Sequence, residues 1–503
     1  MTETIVDTTA GPIRGQVLDG GIHAFKGVSY GADTDGPNRF RPPQPPEPWT
    51  EVRDAHELGP SCPQPAARPG GWMGETHESE DCLVLNVWSS GLDGAARPVM
   101  VWLHGGGYAI GSGSWPLYDG ANLARRGDVV VVTLNHRLGA LGFARFAELL
   151  GDEFATSGNN GMLDIVQALE WVRDNIARFG GDPSNVTIFG ESGGGAKVCT
   201  LQAMPAARGL FHRAVIQSGP SGRVTPVHRA TAYASKFVAE LGVAGDDLVA
   251  LQAAPAEQIL AAQSAAAPFG AASLMGFSPV LDGLTVTANP GDALRAGTAP
   301  DVPLMIGCTR DEATLFIATD PAFRDPDKLD DAALLRRLER YGVGDERERI
   351  LAAYRANRPD DTNTDLYIAI VSDQLMRLPS IRLAEDRLAG GGPPVYQFLF
   401  TWAAGLLRSG HGFEIPFVFD NVGGEVMRPS TSRHQLAAEM SEAWLAFART
   451  GNPSHDGIGD WPAYDLERRT TMVFDRGGSA PQDDPWGDDR EVWDGVTIRG
   501  IGG

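Results

Sequence analysis

Val186-Thr187-Ile188-Phe189-Gly190-Glu191-Ser192-Gly193-Gly194 joins a short apolar, β-branched run to a Gly-x-Ser-x-Gly pattern. The run has the make-up of a buried strand. The glycines flanking Ser192 remove Cβ atoms that would clash if the serine left the strand end on a strained turn with its hydroxyl outward. That is the geometry of a nucleophile elbow. Ala196-Lys197-Val198-Cys199-Thr200-Leu201 follows and can continue as a helix, so the strand, turn and helix that the motif needs are all present. Without that context the pattern would be an ordinary loop in a chain with 62 glycines.

Outward from the elbow, strand-like and helix-like segments alternate, which is the signature of a mostly parallel sheet covered by helices. Val99-Met100-Val101-Trp102-Leu103 and Val129-Val130-Val131-Val132-Thr133-Leu134 are apolar runs typical of strands buried on both faces. Between them and the elbow, Ile165, Val166, Leu169, Val172 and Ile176 recur at helical spacing over 164–176. Phe179-Gly180-Gly181-Asp182-Pro183 then stops that helix and turns into the elbow strand, completing a β-α-β unit. Five prolines within 39–49 exclude regular structure there, because each removes a donor and fixes φ. Residues 225–300 are alanine-rich and helix-like with Pro and Gly breaks, and they precede a further strand candidate at 302–307. An insertion of that length would wall or cap a cleft. No low-complexity linker and no internal repeat divides the chain. The expectation is one α/β domain over 1–503, with a large mostly parallel central sheet flanked by helices and insertions over about 225–300 and 310–410.

A 503-residue chain with 42% hydrophobic content can bury a large core. No apolar stretch approaches the roughly 20 residues of a membrane span. Met1-Thr2-Glu3-Thr4-Ile5-Val6-Asp7 has neither a basic start nor an apolar signal core, so the chain reads as soluble and cytoplasmic, with no membrane partner. A net charge of −22 argues against binding nucleic acid or anionic membrane surfaces, which demand a basic face. The four cysteines, Cys62, Cys82, Cys199 and Cys308, match no zinc spacing, and no metal is expected. Monomer and homo-oligomer both remain open.

A second chemical signal is His104-Gly105-Gly106-Gly107-Tyr108, at the end of the 99–103 run. Successive glycines let the backbone approach a ligand and aim N–H groups at a developing oxyanion; the residue after the nucleophile, Gly193, supplies a further N–H. Serine chemistry also needs a histidine to take the proton and a carboxylate to orient that histidine. After Ser192 come His212, His228, His411, His434 and His455. His411 stands out in Ser409-Gly410-His411-Gly412-Phe413-Glu414-Ile415-Pro416-Phe417, where flanking glycines suit a cleft loop. For the acid, Glu312 follows the 302–307 strand, and Asp311 beside it competes.

These residues resemble the type-B carboxylesterase and lipase family of α/β-hydrolases, which includes para-nitrobenzyl esterases, animal carboxylesterases and cholinesterases. The likeness runs nearly end to end. It rests on Phe25-Lys26-Gly27-Val28, Asn38-Arg39-Phe40-Arg41-Pro42-Pro43, Ser79-Glu80-Asp81-Cys82-Leu83-Val84-Leu85-Asn86-Val87-Trp88, Asn135-His136-Arg137-Leu138-Gly139, Gly158-Asn159-Asn160-Gly161-Met162-Leu163-Asp164, the elbow, and Trp444-Leu445-Ala446-Phe447-Ala448-Arg449-Thr450-Gly451-Asn452-Pro453. The resemblance implies an α/β-hydrolase fold and a triad of Ser192, Glu312 and His411. It implies oxyanion donors at Gly106, Gly107 and Gly193, support near the triad from Glu191 and Ser218, and structural ion pairs Arg39–Glu80 and Arg137–Asp164. Cys62 and Cys82 match the family's first disulfide in secreted members, a possible bridge in this chain. Trp72 falls where cholinesterases carry a cation-binding tryptophan, in a shorter loop. Two departures stand out: Gly193 replaces the usual alanine, and Asp311-Glu312-Ala313 replaces Asp-Glu-Gly.

The expected activity is hydrolysis of small-molecule carboxylic esters through an acyl-serine, without a cofactor. A lipase on long acyl chains, a hydrolase of a complex natural ester or carbamate, and a non-catalytic adhesion protein of the cholinesterase type are the alternatives.

Overall fold

Consecutive apolar residues put Val99, Val101 and Leu103 on one face of the strand Arg97–Leu103, and Met100 and Trp102 on the other. Both faces are buried. The first set packs with Ile165, Leu169 and Val172 of the helix Asn160–Asn175. The second packs with Trp444, Leu445 and Phe447 of the helix Thr431–Thr450. The same alternation continues in Val130–Leu134 and in the elbow strand Gly181–Glu191, where Val186 and Ile188 face one layer and Phe189 the other. Trp102 meets Phe189 and Phe419 edge-on at 4.9 and 5.0 Å between centroids. Such contacts add about 0.5–1.5 kcal/mol each beyond burial.

The computed structural model describes residues 3–65, 77–267, 276–299, 301–318, 320, 323, 329–423, 431–496 and 498; Trp72 lies outside them. From edge to edge the main sheet runs Glu3–Asp7, Pro12–Val17, His23–Ser29, Val84–Ser89, Val130–Leu134, Arg97–Leu103, Gly181–Glu191, Arg213–Gln217, Leu304–Thr309, Val395–Phe400, Thr470–Phe474 and Ala480–Asp483, with Arg53–Asp54 beside Pro12–Val17. Neighbours are parallel from Val130–Leu134 through Thr470–Phe474, and antiparallel outside that block except for the Arg53–Asp54 pairing. Helices on both faces supply the crossovers that parallel strands require.

Residues 42–50 carry neither helix nor strand, as their prolines dictate. The elbow strand starts at Gly181, earlier than the expected turn over 179–183: Gly180 alone makes the bend, at φ 81°, after the short helix Ile176–Phe179. Within 225–300 lie the helices Val227–Leu241, Leu248–Ala253, Ala256–Ala266 and Pro290–Arg295, and the small parallel pair Thr225–Pro226 and Val280–Leu281. The 310–410 segment is helical, with its own apolar cluster around Leu334, Tyr354, Leu366 and Ile370, yet it also contains the sheet strand Val395–Phe400.

Candidate active site

Ser192 sits between the strand Gly181–Glu191 and the helix Gly193–Leu201 with φ 57° and ψ −122°, outside the regions an L-residue prefers. A strain of about 1–3 kcal/mol persists only where packing enforces it. Here the Ser192 N–H donates to the Gln217 carbonyl at 2.8 Å. A Cβ on Gly194 would lie 1.9 Å from the Leu103 oxygen, and one on Gly190 would lie 2.6 Å from the Gly194 carbonyl carbon. The turn can close this tightly only on glycine.

Glu312 follows the strand Leu304–Thr309 and His411 lies in the turn after Val395–Phe400, so two adjacent parallel strands deliver them to the same end of the sheet. His411 Nδ1 hydrogen-bonds Glu312 Oε2. The other Glu312 oxygen accepts from Ser218 Oγ at 2.5 Å and from the Thr309 N–H at 2.7 Å, which fixes the carboxylate. His411 Nε2 lies 3.2 Å from Glu191 Oε1, on the residue just before Ser192. The imidazole edge opposite Glu312 is thus turned to the elbow.

Asp311, the competitor for the acid, does something else. Its Oδ2 accepts from Ser409 Oγ at 2.7 Å and from the Ser409 N–H at 3.2 Å, while its own N–H donates to the Ser409 carbonyl at 3.0 Å. It ties the acid loop to the histidine loop. Among the other histidines, His228 is exposed. His212 Nδ1 accepts from the Val186 N–H at 3.1 Å, and His455 Nε2 sits 3.0 Å from the Glu439 carbonyl.

Glu414 belongs to the site and was not singled out in the sequence, although it stands one helical turn after His411. Gln217 Nε2 donates to it at 3.1 Å, and Trp444 Nε1 donates to Gln217 Oε1 at 3.0 Å. Three buried carboxylates, Glu191, Glu312 and Glu414, therefore surround one imidazole. Burial, then the charges of Glu191 and Glu312, push Glu414 up to about 8. Burial likewise raises Glu191, to about 7, although the His411 charge opposes it. For His411 burial works downward, but the Glu191 and Glu312 carboxylates outweigh it and raise the imidazole to about 9. The result is a strengthened base within reach of the elbow.

The loop after Arg97–Leu103 turns on Gly106, at φ 91°, and Gly107, at φ 64°. It presses against Ser192: a Cβ on Gly105 would lie 3.4 Å from Ser192 Cβ. The N–H groups of Gly106, Gly107 and Gly193 donate to no acceptor among the described residues. Unpaired donors in so closed a place are the make-up of an oxyanion hole.

The two expected ion pairs are formed: Arg39 Nη2 meets Glu80 Oε1 at 2.5 Å, and Arg137 Nη2 meets Asp164 Oδ1 at 2.5 Å, the latter almost wholly buried. Cys62 and Cys82 are buried free thiols, and the neighbouring Cys62 sulfur, together with burial, pushes the Cys82 thiol up. Among the described residues no group of three His, Cys, Asp or Glu side chains could hold a metal ion, and no helix is long and apolar enough to cross a membrane.

A mostly parallel sheet with a serine elbow at a strand end, a histidine held by a carboxylate and a glycine-rich loop facing the serine define an α/β-hydrolase. The chain belongs to the carboxylesterase family, whose model matches residues 2–485. It is 38% identical over 488 residues to a para-nitrobenzyl esterase of Bacillus subtilis, spanning 94% of this chain and 95% of that one. A phenmedipham hydrolase of Pseudarthrobacter oxydans is 36% identical over 502 residues, covering 96% and 97%. Among solved structures, a carboxylesterase of Geobacillus stearothermophilus superposes with a TM-score of 0.87 at 38% identity, over 97% of this chain and 100% of that one. The protein is a serine hydrolase of carboxylic esters.

Proposed function

We propose that Ser192, His411 and Glu312 are the catalytic triad, with Gly106, Gly107 and Gly193 donating to the oxyanion. The observation that carries this is the imidazole clamped by Glu312 at Nδ1 while its Nε2 faces the elbow beside Glu191. Ser192 Oγ attacks the ester carbonyl carbon as His411 Nε2 takes the hydroxyl proton. Glu312 holds the tautomer and stabilises the imidazolium. Three N–H groups receive the charge of the tetrahedral intermediate; the alcohol then leaves with the proton from His411, and water repeats the sequence on the acyl-serine.

The substrates in this reading are small-molecule carboxylic esters in a cleft walled by both insertions of a single α/β-hydrolase domain. Supporting that, Phe316 from the second insertion packs 4.9 Å from the His411 ring. From the first, Gln263 Oε1 accepts from the Ala140 N–H at 2.7 Å, next to Gly139, whose N–H holds the Tyr108 carbonyl after the oxyanion loop. The test is hydrolysis of p-nitrophenyl esters from acetate to palmitate by wild type and Ser192→Ala, with mass spectrometry of an organophosphonate adduct. Turnover in wild type only, falling by about 10⁴–10⁶ in the variant, with the adduct on Ser192, is the expected result. A rate that jumps above substrate solubility would favour a lipase. Folded protein with neither turnover nor adduct would favour a binding protein.

A further inference from the structure

Lys197 lies in the helix behind the nucleophile, fully buried, and neither the triad nor the oxyanion donors use it. Burial lowers its ammonium to about 7, and no carboxylate among the described residues lies near enough to offset that cost. A buried ammonium without a counter-ion burdens a fold, and an apolar side chain of the same length would serve packing better. What Lys197 does hold is a single polar atom of the oxyanion loop. Its Nζ donates to the His104 carbonyl oxygen at 2.9 Å and stands 5.5 Å from the centroid of the Tyr108 ring, at the loop's other end. Charged or neutral, the amine keeps an N–H for that acceptor.

The next peptide is held too, since His104 Nδ1 hydrogen-bonds the Gly105 carbonyl oxygen at 2.8 Å. The His104–Gly105 peptide is therefore pinned at its carbonyl by Lys197, beside Ser192 and with the Glu191 carboxylate 2.8 Å from where a Gly105 Cβ would stand. The next two residues are Gly106 and Gly107. Glycines have little conformational preference of their own, so their N–H directions follow from how the preceding peptide is anchored. We propose that Lys197 is a positioning residue for ester hydrolysis, fixing through the His104 carbonyl the peptide plane that aims the Gly106 and Gly107 donors. The proposal rests on the triad and oxyanion reading above.

Lys197→Met and Lys197→Leu remove the donor and keep an apolar stem, so both are expected to fold with a Tm equal to or above wild type. Active sites are counted by phosphonate titration, and p-nitrophenyl acetate gives kcat and KM per titrated site. A trifluoromethyl ketone, which forms a hemiketal oxyanion on the serine, reports the oxyanion hole separately. The expected result is kcat lower by about 10–100-fold, KM within about twofold, and a Ki for the ketone weakened in step with kcat. Either variant with kcat and Ki within about threefold of wild type would overturn the proposal, as would a loss confined to Tm or KM. Wild type that takes no phosphonate on Ser192 would instead overturn the triad reading, which separates the two failures.

Discussion

Gly193→Ala adds one methyl group at the most crowded point of the site. The new Cβ would stand 2.1 Å from the Gly107 oxygen and 2.6 Å from the Gly107 carbonyl carbon and Cα, all of them backbone that no rotamer change can clear. Relief requires the oxyanion loop and the nucleophile helix to part by about 1 Å. In the proposed mechanism Gly107 and Gly193 are oxyanion donors, which work at about 2.7–3.1 Å, so that separation carries one of them out of range. One lost donor costs about 10²–10³ in kcat, or about 2.7–4 kcal/mol of transition-state stabilisation. KM should hardly move, because the donors engage the oxyanion and not the ground-state carbonyl. The assay is p-nitrophenyl acetate hydrolysis per phosphonate-titrated site, with Tm measured in parallel. Alanine is the usual residue here in the family, which sharpens the test: the loop of this chain is packed against a glycine. G193A with kcat within about threefold of wild type would refute the reasoning, since it would mean the loop yields without displacing a donor.

Three further outcomes follow from the geometry. In the proposed mechanism neutral His411 is the base, and its carboxylate neighbours raise it from 6.5 to about 9, so kcat/KM should keep rising with pH between those values; Glu191→Gln should move that limb to lower pH, and limbs near pH 6.5 in both proteins would contradict the buried carboxylate cluster. Asp164→Asn leaves the buried Arg137 without its counter-charge and should cost about 3–5 kcal/mol in urea denaturation, with a change below about 1 kcal/mol counting against the pair as a fold support. Protein denatured without reductant should titrate four thiols with Ellman's reagent, whereas the native protein, with every cysteine buried, should react slowly; two thiols instead of four would show Cys62 and Cys82 joined.

The elbow was legible because its requirements are local. A β-branched run, glycines around a serine and a helix-forming stretch lie within 16 residues, 186–201, and each follows from Cβ clashes or strand propensity that neighbouring residues decide. The two-faced strands were legible for the same reason: unbroken apolar runs at 99–103 and 129–134 have no polar face to turn to water. His411 could be chosen among five histidines by its flanking glycines. Choosing Glu312 over Asp311 took the family resemblance, because adjacent carboxylates are equivalent in composition and pattern. Only the tertiary structure separates them, by turning Glu312 to His411 and Asp311 to Ser409. The same holds for Glu414, Gln217 and Lys197. Their roles arise from partners that sit on other strands and loops, so burial, charge and hydrogen bonding are settled only when the sheet assembles. The sequence determined which residues could do the chemistry and where the chain would turn, because those are short-range steric facts. Packing decided which carboxylate meets the imidazole and which amine holds the His104 carbonyl, because those contacts join residues up to 99 positions apart.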